Sequence, residues 1–287
     1  MGMIKNKVIL GILFIVFVGI VLFIFFVPIT TTFNITVDTE RISYETLDKN
    51  NSRLIVMEAE IADEDAILST NFSGTIDLNA GVKVTVERIA FGPISIIIES
   101  LNSKSIGKIY NGQDGELFHE ATDYLEVYIY DVSEKTVKGQ TYIFSIDGKV
   151  NLGRSVNLEI FGESTALLRN GDVKMIGKTF LSDDYFEAGS KELNLGDRLV
   201  FDKIQSKTFG FVTINENPGM SAAYRVTAKE ARVIKPGPQN DTSGYMISAS
   251  LLDRFLKDRM FQGLSIFFGF LVIITTLITF VKDITKN

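Results

Sequence analysis

The sequence predicts an all-β, antiparallel extracytoplasmic domain flanked by N- and C-terminal transmembrane α-helices. Three observations predict it: an unbroken apolar run near each end, period-2 alternation between them, and turn dipeptides that punctuate the alternation.

The first run, Val8 to Val27, holds 20 apolar residues (VILGILFIVFVGIVLFIFFV). At about 1.5 Å per residue it spans roughly 30 Å, the thickness of a hydrocarbon core. It exceeds the roughly 7–15 residues of a signal-peptide core and ends in Phe25, Phe26, Val27 and Pro28 without a small-residue cleavage site, so it reads as an anchor. The second run, Met260 to Val281, has no charged residue in 22 positions. Lys5 and Lys7 precede the first span, and no Lys or Arg follows it until Arg41. The positive-inside rule then places the 1–7 tail in the cytoplasm, and a second crossing returns the 282–287 tail there with Lys282 and Lys286. Arg254, Lys257 and Arg259 lie on the side this assignment calls external and count against it.

Alternation fills the interval 28–246. Phe33, Ile35 and Val37 alternate with polar neighbours; so do Val82, Val84 and Val86, then Ile94, Ile96 and Ile98, then Leu125, Val127 and Ile129, then Val156, Leu158 and Ile160. Each set is the signature of a half-buried strand. Asp147-Gly148, Asn170-Gly171 and Asp114-Gly115 each read as a hairpin turn. The expected architecture is an antiparallel sandwich, a barrel or stacked sheets, and the polar stretch 131–140 (DVSEKTVKGQ) is where two subdomains would divide. Beyond the last strand, Ser250 to Asp253 has the spacing of a capping box. It opens a juxtamembrane helix over 247–259 that is expected to run on into the span at 260–281. Leu251, Leu252, Phe255 and Leu256 form its apolar stripe, expected against the β body or the membrane interface, with Arg254, Lys257 and Asp258 pointing elsewhere.

Composition removes whole classes of function. With no cysteine there is no disulfide framework, thiolate nucleophile or cysteine-ligated metal, and a lone His119 cannot build a multi-histidine metal site. The chain carries a net charge of −6, and the interval between the runs carries 25 basic against 34 acidic residues. That balance argues against nucleic acid as a partner. No phosphate-binding loop, dinucleotide fingerprint or metalloprotease motif occurs, and no cofactor is expected.

The stretch Gly196 to Phe201 (GDRLVF) resembles a Gly-Asp-hydrophobic strand of signal peptidases, and the anchored β-rich layout is shared with some of them. A nucleophilic Ser-Met just after the first span is missing: the first serine there is Ser43, within RISYE. Ser221, in Gly219-Met220-Ser221, with Lys203 or Lys229 as base, is what remains of a protease reading. Asp63-Glu64-Asp65 and Asp183-Asp184 with Glu187 read as solvated turns. Tyr124, Tyr128 and Tyr130 form a strand-face stripe. Sequons stand at Asn34, Asn50, Asn71 and Asn240.

In the second span Ser265, Gly269, Val272, Thr276 and Thr279 fall on one helix face. Gly11 and Gly19 in the first span could offer a complementary notch. Neither span holds an ionisable residue, which disfavours ion-coupled transport. The expectation is a non-enzymatic scaffold or accessory subunit of a cell-envelope membrane complex, in the cytoplasmic membrane. Its partners would be the lipid bilayer and copies of itself or other membrane-protein subunits. The alternatives are an oligomeric two-span channel subunit and a carrier that shields a lipid or glycan in an apolar groove.

Overall fold

The computed structural model describes Gly19 and residues 30–47, 53–102, 105–112, 115–130, 142–153, 166–204, 208–214, 217–236 and 244–285. The chain is mostly antiparallel sheet, followed by one long apolar helix at the C-terminal end. The N-terminal span, apart from Gly19, the strand expected at Val156 to Ile160 and the boundary at 131–140 lie outside the described residues.

Among the described residues sixteen strands follow in order: β1 (Thr31–Thr39), β2 (Arg41–Thr46), β3 (Arg53–Ala62), β4 (Ile67–Leu78), β5 (Val82–Glu87), β6 (Ile94–Ser100), β7 (Gly107–Asn111), β8 (Glu116–Ala121), β9 (Tyr124–Ile129), β10 (Tyr142–Leu152), β11 (Leu168–Lys178), β12 (Tyr185–Leu193), β13 (Arg198–Ile204), β14 (Phe209–Ile214), β15 (Met220–Ile234) and β16 (Tyr245–Ile247). Two helices close the chain, α1 (Leu251–Leu256) and α2 (Arg259–Ile284).

The strands form one hydrogen-bonded network in the order β12-β11-β1-β15-β13-β10-β2-β5-β6-β9-β3-β4-β7-β8, with β14 joining β10 to β15 and β16 added to β15. The first strand does not pair with the second. β1 lies between β11 and β15, whereas β2 bridges β5 and β10. The buried side chains of both ends of this network make one contiguous cluster.

The alternation expected from sequence holds wherever the residues are described. Phe33, Ile35 and Val37, the valines of β5, Ile94, Ile96 and Ile98 of β6, and Leu125, Val127 and Ile129 are all buried. A polar ladder lines exposed and half-buried positions of other strands. On β3, β4, β7 and β8 the residues Arg53, Asp77, Lys108 and Glu120 stand side by side with alternating charge. Arg53 donates twice to Asp77, at 2.5 and 2.9 Å, and Lys108 lies 2.9 Å from Glu120.

Two of the three expected hairpins are not turns. Asp147-Gly148 lies inside the continuous strand β10, and Asn170-Gly171 inside β11. At Gly148 the strand changes partners, from β14 over 142–147 to β2 over 148–152. A Cβ there would sit 1.7 Å from the Glu45 carbonyl oxygen, and φ is +149°. The glycine serves close approach of two backbones, the other use of a strand glycine. At Gly171 the added carbon would meet the Val37 side chain, with Cγ1 at 2.3 Å, and the Thr36 carbonyl oxygen at 2.9 Å on the neighbouring strand β1. Gly115, at φ +85°, does sit in the β7–β8 connection.

Replacing Gly148 by alanine is therefore expected to lower unfolding stability by at least about 2 kcal/mol. Gly115→Ala, whose Cβ would meet nothing within 4 Å, should cost only about 1 kcal/mol for its left-handed backbone. Thermal melts of the two variants in detergent, followed by circular dichroism, check the ranking.

Candidate functional site

Between the sheet and the apolar helix lies the most heavily bonded polar arrangement of the described chain. Asp258 has no solvent exposure. One carboxylate oxygen accepts from the amides of Met260 (3.0 Å) and Phe261 (3.2 Å), capping the start of α2. The other accepts from the amides of Leu181 (2.6 Å) and Ser182 (3.4 Å) in the β11–β12 connection. One side chain thus fastens the helix to the sheet. Burial alone would raise its pKa, but the four amides outweigh that and hold the carboxyl below the ordinary range.

Arg254, one turn earlier and only 3% exposed, completes the fastening. Its guanidinium donates to the carbonyls of Lys178 (2.8 Å) and Thr30 and to the Thr31 hydroxyl (3.4 Å). Burial pulls its pKa down from the ordinary value, but an arginine remains charged at neutral pH. Thr31 also accepts from the Ala249 amide at 2.9 Å. Thr30 stands three positions after Val27, the end of the first apolar run. The chain segments next to both apolar runs are therefore tied together at one end of the sheet.

This geometry corrects two expectations. The juxtamembrane helix does not run into the long helix: α1 ends at Lys257, and extended backbone at Asp258 starts α2 afresh. Nor does the apolar stripe of α1 lie against the β body, one of its two expected places, and Arg254 and Asp258, expected to point elsewhere, face inward. Leu251, Leu252 and Leu256 are exposed, Arg254 and Asp258 are buried, and only Phe255 packs inward, against Phe180 and Phe261 at 4.7 and 5.2 Å between ring centroids. Periodicity identifies a stripe but not the side that is covered, and here backbone acceptors at Thr30 and Lys178 claim the charged side. The sequence did carry a signal for Asp258, an aspartate immediately before an apolar helix, where N-caps are found. Ser250 caps α1 as its position suggested, accepting from the Leu252 amide at 3.2 Å.

α2 is apolar and exposed all round; its window Arg259–Ile278 has a mean hydropathy of 2.1 and no buried share. Ser265, Gly269, Val272 and Thr276 lie on its surface. The Ser265 and Thr276 hydroxyls donate to carbonyls of their own helix, Phe261 and Val272. Among the described residues, nothing beyond its chain neighbours and its own helix backbone comes within 4 Å of where a Cβ would stand on Gly269 or Gly19. Thr279 lies in α2, but its side chain is not described, and Gly11 is outside the described residues.

The other candidate residues are dispersed. The Ser221 hydroxyl donates to Asp38 at 2.7 Å. Lys229 is eight residues further along β15, roughly 26 Å at about 3.3 Å per residue, and Lys203 adjoins Ile204, which pairs with Ala228 at that same distant level. Neither Lys203 nor Lys229 is brought to Ser221. Asp63 caps its own turn, accepting from Asp65 and Ala66, and stands 3.9 Å from His119 on the edge strand β8. Among the described residues no three acidic or histidine side chains converge to hold a metal. Asn34 sits mid-strand and accepts from Arg225, whereas Asn71 is exposed on β4; Asn50 and Asn240 lie outside the described residues. An open groove of about 310 Å³ on the outer face of β1, β11 and β12 mixes Lys174 and Glu187 with Ile176 and Phe186.

The tyrosine stripe is organised by a residue that sequence reading passed over. Glu126, between Tyr124 and Tyr128, accepts from both hydroxyls, the first at 3.0 Å. Burial first, then that hydrogen bond, pushes Tyr124 up to about 12; the same bond first, then burial, pushes Tyr128 up to about 12.

Comparison of this chain with family models, with curated proteins and with solved structures gave no match.

Two outcomes test these arrangements. Asp258→Asn should destabilise the junction by about 1–3 kcal/mol and speed hydrogen exchange at the Leu181 and Ser182 amides. Since the folded-state pKa is the lower one, the carboxylate's contribution should be whole above the unfolded value near pH 4 and lost as pH falls through the lowered value. For the tyrosines, ultraviolet titration should find two ionising near pH 12, and Glu126→Gln should bring both down. Their raised values stabilise the fold fully below about pH 10, and that contribution fades as pH rises toward 12.

Proposed function

We propose that the chain is a non-enzymatic, membrane-anchored scaffold or accessory subunit of a cell-envelope complex. On this reading it holds an acidic, β-rich body outside the cytoplasmic membrane, with both termini in the cytoplasm. The observation that carries the reading is the junction. A 26-residue apolar helix with no buried face is clamped to a rigid sheet by Asp258 and Arg254, at the point where the chain emerges from its other apolar run. Exposed leucine, isoleucine and phenylalanine all round a helix need lipid or other membrane helices to cover them.

Two of the three external cations that count against the orientation have structural uses. Arg254 is taken up by backbone acceptors of the body, and Arg259 faces Asp184 at 3.5 Å. The non-enzymatic reading is supported by the engagement of Ser221 with Asp38 and by the distance of Lys203 and Lys229 from it. The subunit role is supported by the small and hydroxylated residues on the open surface of α2, which suit close approach of another helix.

Mild crosslinking of native membranes, followed by mass spectrometry, tests the role. Reproducible adducts with further copies or with other membrane proteins are expected, and the protein should resist extraction by alkaline carbonate. A lone monomer without reproducible adducts would remove the subunit role, and release by carbonate would remove the anchor.

A further inference from the structure

We propose that α1 and the β11–β12 connection form an interfacial wedge, an apolar ridge that seats the β body on the bilayer surface with basic side chains against anionic headgroups. The inference rests on the membrane reading above and adds a second, separate contact with lipid. Leu251, Leu252 and Leu256 of α1 are 43%, 64% and 55% exposed, and Leu181 of the connection is 51% exposed. Lys257 is exposed between them and α2, and the Arg259 side chain is 83% exposed.

The polarity of α1 is the reverse of a helix on a water-soluble body. Its arginine and the aspartate that follows it are inside, and its leucines are outside. A flexible helix could roll to hide them. This one cannot, because Arg254 is bonded to Lys178 and Thr30, and Asp258 to Leu181 and Ser182. Beyond Lys257 and Arg259 the exposed apolar side chains resume at Met260, Phe261 and Leu264 of α2, and the Phe261 ring lies 5.2 Å from that of Phe255 in α1. Whatever covers that end of α2 also meets α1. A short helix lying flat, leucines down and cations at the rim, matches the interfacial mode of lipid binding. Lys257 suits an anionic headgroup, and Arg259, though 3.5 Å from Asp184, keeps 83% of its side chain open to one, whereas the body they serve is acidic.

The chain has no cysteine, so single-cysteine variants report without background. Leu181→Cys, Leu252→Cys, Val272→Cys and Leu117→Cys would each carry an environment-sensitive fluorophore in the full-length protein, reconstituted into phosphatidylcholine vesicles with or without phosphatidylserine. Nitroxide-labelled lipids, shallow or deep, supply the quencher. The wedge predicts that the probes at 181 and 252 lose most of their emission to the shallow quencher, and more so with phosphatidylserine. The probe at 117, on the far edge strand, should keep its emission, and the probe at 272 should respond to the deep quencher. Quenching at 272 without quenching at 181 and 252 overturns the wedge and leaves the anchor intact. Loss of quenching at 272 overturns the anchor itself. Emission at 252 that answers only to a labelled second copy assigns the ridge to a protein contact and also overturns the proposal.

Discussion

The carboxylate of Asp258 is the constraint on which the arrangement of body and helix depends. A charge without solvent exposure costs several kcal/mol unless its lone pairs are filled. Here four amides fill them, two from the helix it starts and two from the sheet it touches. The bonds differ in consequence. Capping α2 alone would allow the helix to swing about Lys257, and bonding Leu181 and Ser182 alone would hold a loop. Together they fix the direction in which α2 leaves the body. Arg254 adds a second point, the backbone of Thr30 and Lys178, so rotation about the first is blocked.

A sheet network this long must also manage its edges. The path ends at β12 and β8, and both present charges at exposed positions, Glu187, Lys191 and Glu192 on one and Glu116 and Glu120 on the other. Charged edge strands discourage further pairing. The ladder of Arg53, Asp77, Lys108 and Glu120 reaches the β8 edge, and its value lies there more than in stability, since exposed ion pairs contribute little. Inside, the buried Arg88 ties the segment after β5 to the segment before β15 through the carbonyls of Asn217 and Gly219, at 3.0 and 2.9 Å. Distant parts of the chain are joined by polar pins at this point and at Asp258.

Much of this was legible in the residues. Wherever a strand has one wet face, as at Phe33 to Val37 or Ile94 to Ile98, alternation alone identifies both the strand and its buried side. Pairing was not legible, because nothing local in β1 says that its neighbours are β11 and β15, well over a hundred residues away. Gly148 and Gly171 were misread for a physical reason. An Asp-Gly or Asn-Gly pair serves a tight turn, and the glycine alone serves a close backbone crossing; only the partner strand distinguishes the two. Arg254 was placed outward because charge usually is. Its burial depends on two carbonyls and a hydroxyl contributed from elsewhere in the chain, which no window around it contains. Glu126 was hidden the same way, as a polar residue in an alternating strand whose use is set by its two tyrosine neighbours.

Charge decides what the junction has to accomplish mechanically. The interval between the apolar runs holds nine more acidic than basic residues. A body of that sign is repelled by an anionic surface, and the field falls off within about 10 Å at ordinary salt. On the membrane-anchored reading proposed above, electrostatics over the whole body would let it float at any tilt, tethered by its ends. Orientation has to come from short-range contacts at the attachment point. Only contacts with fixed geometry can supply it: a carboxylate shared between helix and loop, and an arginine fork on two carbonyls. Burying both charged side chains at the one place where the apolar helix departs has its physical rationale there, since rigid joints need directional bonds and apolar packing alone does not set an angle.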